Sequence, residues 1–232
     1  MAVTERRTAL GCGCGALVAA GLALIMGLAW FGYLRGERFR DAMRDPESRA
    51  AASREVLGYR ELPAGYQPMG GFSIPFVMEM AMLSDRVPAP GEEVSGPEQA
   101  FGRRGFVYLV TRSSRRQQEE VRAYFRGERD RAGFYEEIDR RFEGGEVLGR
   151  GRLAAGGAQV GYVAERGRMT LGEGPVPTVL ARLLVECPEG SRLRAAMWFE
   201  PAPAEGAEGV DGTPADPDAL QRFLDHFRLC GT

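Results

Sequence analysis

The chain has 232 residues and a mass of 25.3 kDa, with 30 basic and 32 acidic side chains and a formal net charge of −2. Every basic residue is arginine, lysine and asparagine are absent, and His226 is the single histidine, which excludes a lysine Schiff base, a P-loop lysine and any multi-histidine metal centre. Arginine and acid nearly cancel, so nucleic acid is not an expected partner: binding it needs a net basic face. The scarcity of residues with AT-rich codons reads as the composition of a high-GC bacterial genome. A hydrophobic share of 44% with 27% charged residues is that of a globular chain.

Residues 1–8 form a short N-terminal tail carrying Arg6 and Arg7. From Thr8 to Leu34 no residue is charged, and Trp30, Phe31 and Tyr33 gather at the far end. About 20 apolar residues in a helix span the hydrocarbon core, and aromatic rings favour the headgroup interface. Residues 9–34 are therefore read as a transmembrane signal anchor. A cleaved signal peptide has an apolar region of about 7–15 residues ending in small residues, and this run is longer and ends in bulky rings. Gly11, Gly15, Ala19, Ala23 and Gly27 recur at every fourth position, a ridge of small residues suited to self-association or to docking on a membrane partner. Cys12 and Cys14 within it are read as small helix residues, since two ligands alone make a poor metal site.

Residues 35–62 form a juxtamembrane helical segment, with Arg35, Arg38 and Arg40 placed to meet anionic headgroups and with a fresh helix started by Asp45-Pro46. Arginine counting across the anchor favours an inside C-terminus. The cysteines below favour the opposite.

Residues 63–232 are expected to form one α+β domain, an antiparallel sheet of about five to seven strands packed by helices. Large apolar residues alternate from Phe72 to Met82, predicting one strand with a single apolar face. Gly105 to Thr111 is a second strand. Ser114 caps a helix to Phe125, with an apolar stripe of Val121, Tyr124 and Phe125. Glu146 to Arg152 and Gln159 to Glu165 form a hairpin around Gly156-Gly157. Thr178 to Cys187 and Arg192 to Phe199 flank a second turn. Asp216-Pro217 starts a last helix whose Leu220, Phe223, Leu224 and Phe227 share one face. This order of elements is similar to that of the PsbP/Mog1-like sandwich, a likeness of fold alone.

Cys187 and Cys230 are the only cysteines beyond the anchor, and an even pair in such a domain predicts a disulfide formed in an oxidising compartment. That places the C-terminal domain outside the cytoplasm, on a single-pass protein of the bacterial inner membrane.

Candidate sites are few. Met78, Met80 and Met82 are thioethers at alternate positions that would suit Cu(I), although the same stripe continues an apolar face and fits core packing. His226 lies off the apolar face of its helix with no nucleophile motif nearby, and reads as a solvated residue at a helix end. Asp211, Asp216 and Asp218, with Glu205 and Glu208, crowd one loop but match no calcium motif. The doublets Arg103-Arg104, Arg115-Arg116 and Arg140-Arg141 read as a solvated face paired with local glutamates. No cofactor is implied. The expectation is a membrane-anchored envelope protein that binds or scaffolds another component without catalysis. A copper-handling protein and a carboxylate-dependent hydrolase are the alternatives.

Overall fold

The computed structural model describes residues 45–231, apart from 75, 89–100, 137–139, 172–173, 189–191 and 204–210. The anchor, with Gly11, Gly15, Ala19, Ala23 and Gly27, lies outside the described residues, as do Glu205 and Glu208. Among the described residues no helix is long and apolar enough to cross a membrane.

Helix α1 (Pro46–Leu57) starts where its cap residues stand: the Asp45 carboxylate accepts the Ser48 N–H at 2.8 Å and the Ser48 hydroxyl at 2.6 Å. It ends at Gly58, whose φ of 62° is the left-handed conformation of a helix C-cap. Its C-terminal Leu57 is wholly buried in the sheet's core, and Gly71 of the first strand lies against it. A Cβ on Gly71 would meet the Ala52 backbone at 3.0 Å. The described helical part of the segment read as juxtamembrane, Pro46–Leu57, thus packs on the sheet.

The alternating run from Phe72 to Met82 is two strands, β1 (Gln67–Ile74) and β2 (Met78–Ser84), folded into a hairpin. The turn between them is closed by the Val77 N–H donating to the Ile74 carbonyl at 3.0 Å. Facing pairs such as Ile74 with Met78 and Phe72 with Met80 differ by an even number of residues. Side-chain parity therefore survives the turn, and one long strand and a tight hairpin give the same sequence pattern.

The rest follows the expected order. β3 (Gly105–Arg112) leads to α2 (Arg115–Phe125), capped by the Ser114 hydroxyl accepting the Gln117 N–H at 3.2 Å. In the charged stretch after α2, the described residues Gly133–Tyr135 form a 3-10 turn. β4 (Phe142–Ala155) and β5 (Ala158–Leu171) extend well past their expected ends and turn at Gly156 and Gly157, with φ of 58° and 75°. β6 (Gly174–Glu186) and β7 (Arg192–Pro201) form the next hairpin, and α3 (Pro217–Leu224) closes the fold.

All seven strands join one antiparallel sheet in the order β1-β2-β3-β7-β6-β5-β4. With three helices among the described residues the architecture is α+β. One sheet face carries Leu83, Phe106, Val160, Leu183 and Trp198, covered by α1 and by Leu220, Phe223, Leu224 and Phe227. Trp198 stacks on Phe223 with ring centroids 4.3 Å apart, and Phe106 on Phe227 at 5.1 Å. The opposite face is covered over β5, β6 and β7 by Val121, Tyr124 and Phe125 of α2, which pack on Val163, Leu184 and Ala195.

Cys187 and Cys230 form a disulfide, their Cα atoms 5.4 Å apart. It ties the end of β6 to the chain beyond α3. The same segment is held by the Arg228 N–H on the Leu57 carbonyl (2.8 Å), the Leu229 N–H on the Gly156 carbonyl (3.1 Å), and the Tyr108 hydroxyl on the Leu229 carbonyl.

Candidate binding surface

Among the described residues, helix cover on the α2 side of the sheet stops short of β1, β2 and β3. Register places Phe72, Met80 and Leu109 in one row across these strands, and Met82 and Val107 in the next. These side chains are half-buried, and Ile74 at the end of β1 is 46% exposed. The sheet face turned to α1 and α3 takes the intervening residues, Ala81 and Leu83, which are fully buried. Met78, Met80 and Met82 therefore share one face of β2, away from the main core, where Met82 joins Met69 and Phe101 in a small apolar cluster. A contiguous apolar area of this kind is a common mark of an interaction site.

A polar pocket lies on the same side of the sheet, under α2. Arg182 of β6 and Glu165 of β5 form an ion pair with side chains only 6% and 14% exposed. The Tyr124 hydroxyl sits 3.5 Å from the Glu165 carboxylate and 3.4 Å from the guanidinium. That guanidinium lies 5.9 Å from the centre of the Tyr135 ring and 5.7 Å from that of Phe142. The adjoining cavity is about 240 Å³, with Asp130 and Arg131 at its wall. The ion pair and the Tyr124 hydroxyl between its two members tie β5, β6 and α2 together.

A second polar chain crosses the opposite face. Trp198 Nε1–H donates to the Tyr66 hydroxyl at 2.7 Å, and that hydroxyl donates to Glu200 at 3.0 Å. Burial pushes the Tyr66 phenol well above its ordinary value and raises Glu200 above the usual carboxylate range.

The other sequence candidates resolve into local roles. Asp216 is the N-cap of α3, accepting the Asp218 and Gly212 N–H groups at 3.0 Å each, and these bonds hold its carboxyl below the usual range. Among the described residues no group of three or more His, Cys, Asp or Glu side chains could hold a metal ion. His226 is exposed beyond the end of α3, its Nδ1 3.3 Å from the Glu61 carbonyl. Arg115 and Arg116, expected to pair with local glutamates, make no ion pair among the described residues. Glu119, the nearest acid on their helix, faces Arg126 at 2.7 Å instead.

No protein-family model matches the sequence, and no curated protein is similar to it. Among solved structures, the chain is similar to the Ran-binding protein Mog1p of Saccharomyces cerevisiae. The identity is 12%, over 72% of this chain and 84% of that one, with a TM-score of 0.37. It is similar to the same degree to a single-site mutant of protein Mog1, at 12% identity over 73% of this chain and 89% of that one, TM-score 0.37. Overlap this low carries no functional inference.

Proposed function

We propose that the chain is a membrane-anchored protein of the bacterial envelope, with residues 9–34 as its single span. Its domain then lies outside the cytoplasm, and binds or positions another envelope component without catalysis. The observation that carries this reading is the Cys187–Cys230 bond. Disulfides persist in oxidising compartments, so the bond supports an outward domain against the arginine count flanking the anchor. The half-buried apolar rows on β1, β2 and β3 support binding as its work.

Alkylation in intact cells with a membrane-impermeant thiol reagent tests the placement. Cys187 and Cys230 should be labelled only after an impermeant reductant is added. Labelling without reductant only after lysis overturns the outward placement. Co-purification from native membranes tests the binding role: a partner retained by the native chain should be lost from a Met80→Glu, Leu109→Glu variant of unchanged stability. A metal-handling role is the second reading, favoured by Met78, Met80 and Met82 lying half-buried on one face of β2 instead of sealed in the main core. Titration with Cu(I) that gives no heat beyond buffer ends it.

A further inference from the structure

The β1–β2 turn is apolar, and it protrudes. Ile74 is 46% exposed, Phe76 78% and Val77 54%, so three large apolar residues in a span of four face water at one end of the sheet. Phe76 has a φ of +63°, the one residue other than glycine with positive φ among the described residues. The third position of a hydrogen-bonded turn with left-handed backbone is glycine's place, and a bulky aromatic is strained there. Neither local backbone preference nor burial explains a phenylalanine at this point. Departures of this kind from local rules are expected where a residue serves something outside the fold.

The surroundings say what that is. The Val77 carbonyl accepts the Arg112 N–H at 3.3 Å, which puts Arg112 beside the turn. Arg115 and Arg116 follow within four residues, at the start of α2. All three are exposed, and none makes an ion pair among the described residues. The nearby acid Glu79 is bound to Arg192 at 2.6 Å. The result is an apolar tip with one exposed arginine beside it and two more at the start of α2, a partial collar without ion pairs among the described residues. An aromatic and aliphatic wedge enters the acyl boundary of a bilayer, while guanidinium groups beside it meet phosphate headgroups.

We infer that the turn at Ile74, Phe76 and Val77 is a second membrane contact, inserting into an anionic lipid surface with Arg112, Arg115 and Arg116 on the headgroups. The inference deepens the anchored reading, on which it relies only for the nearness of a bilayer.

The test uses the full chain in proteoliposomes of phosphatidylcholine, alone or mixed with phosphatidylglycerol. Phe76→Trp supplies a reporter, read as the difference from the parent chain, and Glu146→Trp on the exposed outer strand β4 is the control. The Phe76 reporter should emit to the blue and be quenched by brominated acyl chains in the anionic vesicles, and the control should do neither. Replacing Arg112, Arg115 and Arg116 with glutamine should weaken insertion by about fivefold per arginine. Raised salt should act in the same direction. Phe76→Gly, which relieves the left-handed strain, should abolish contact while leaving the melting temperature no lower.

Emission and quenching equal to those of the control overturn the inference. So does equal quenching in neutral vesicles, which removes the collar's part. Shielding from aqueous iodide without quenching by brominated lipid also overturns it, by assigning the tip to a protein. Alkaline extraction tests the anchor separately, since a chain released by it still reports tip contact when added to preformed vesicles.

Discussion

Breaking the Cys187–Cys230 bond gives the sharpest test of how the domain is held together. The bond closes a loop with a sequence separation of 43 residues, spanning β7 and α3. Cross-linking a loop of that length removes about 4 kcal/mol of chain entropy from the unfolded state. For a domain of about 150–250 residues, 1 kcal/mol moves the melting temperature by roughly 2–4 °C, so loss of the bond should lower it by about 8–16 °C. The native fold should persist below that temperature. Leu229 is wholly buried between the cysteines' neighbours, and the hydrogen bonds of Arg228, Leu229 and Tyr108 hold the same segment without the sulfur bridge. Trp198, stacked on Phe223, offers a fluorescence signal close to the loop. Thermal unfolding of the chain should be followed with and without reductant, beside a Cys187→Ser, Cys230→Ser variant that reports any side effect of the reductant. A shift of less than about 2 °C would refute the loop argument, and would mean that the reduced chain is already constrained in this region.

Three further outcomes follow from the buried charges and caps. Arg182→Met should cost about 3 kcal/mol in denaturant titration, because it strands Glu165 in a site that is mostly dry. Joining it to Glu165→Leu should recover most of that loss, and an equal loss in the double variant would show that packing, not charge, is at stake. Asp216→Ala should cost about 1 kcal/mol at neutral pH. Its carboxyl titrates below the ordinary range when folded, so the stabilisation is present above that range and fades as pH falls through the folded value. Comparing the two proteins' melts from neutral to acid pH checks it. Glu200 has the opposite sign: burial raises it, so its contribution is fullest in acid and is lost as pH rises through the folded value. Glu200→Gln should flatten the stability profile above pH 4.5, the group's ordinary value, with little loss at neutral pH.

Much of the scaffold is written in local pattern. The face of Leu220, Phe223, Leu224 and Phe227 and the caps at Asp45, Ser114 and Asp216 all express periodicity or capping chemistry, which neighbouring residues alone encode. The β1–β2 hairpin escaped because alternation records parity and not direction. Pro75 is as much at home at a strand edge as in a turn, and Phe76 and Val77 carry none of the glycine or asparagine that marks a tight turn. The buried Arg182–Glu165 pair left a trace that could have been used. An arginine inside the otherwise apolar run from Val179 to Val185 must bury its charge, and so requires a partner on an adjacent strand. Which strand, and that Tyr124 of α2 would complete the set, depends on pairing across the sheet. The exposure of Phe76 is equally a tertiary fact, because its composition is that of a core residue.

The strand order has a consequence for how the molecule comes into being. β1, β2 and β3 are sequential neighbours, and so are β4 to β7, so each set can pair as its chain emerges. The two sets meet at one seam, β3 against β7, where Gly105 faces Phe199 and Arg112 faces Arg192. Until β7 is made, β3 is an open edge of valine, tyrosine and leucine, a template for pairing with another copy. Closing the seam also has to wait for a long loop, which makes it the slow step of folding. During synthesis the first three strands are therefore a half-built sheet whose β3 border is still unpaired. β7 acts as the keystone that closes this border.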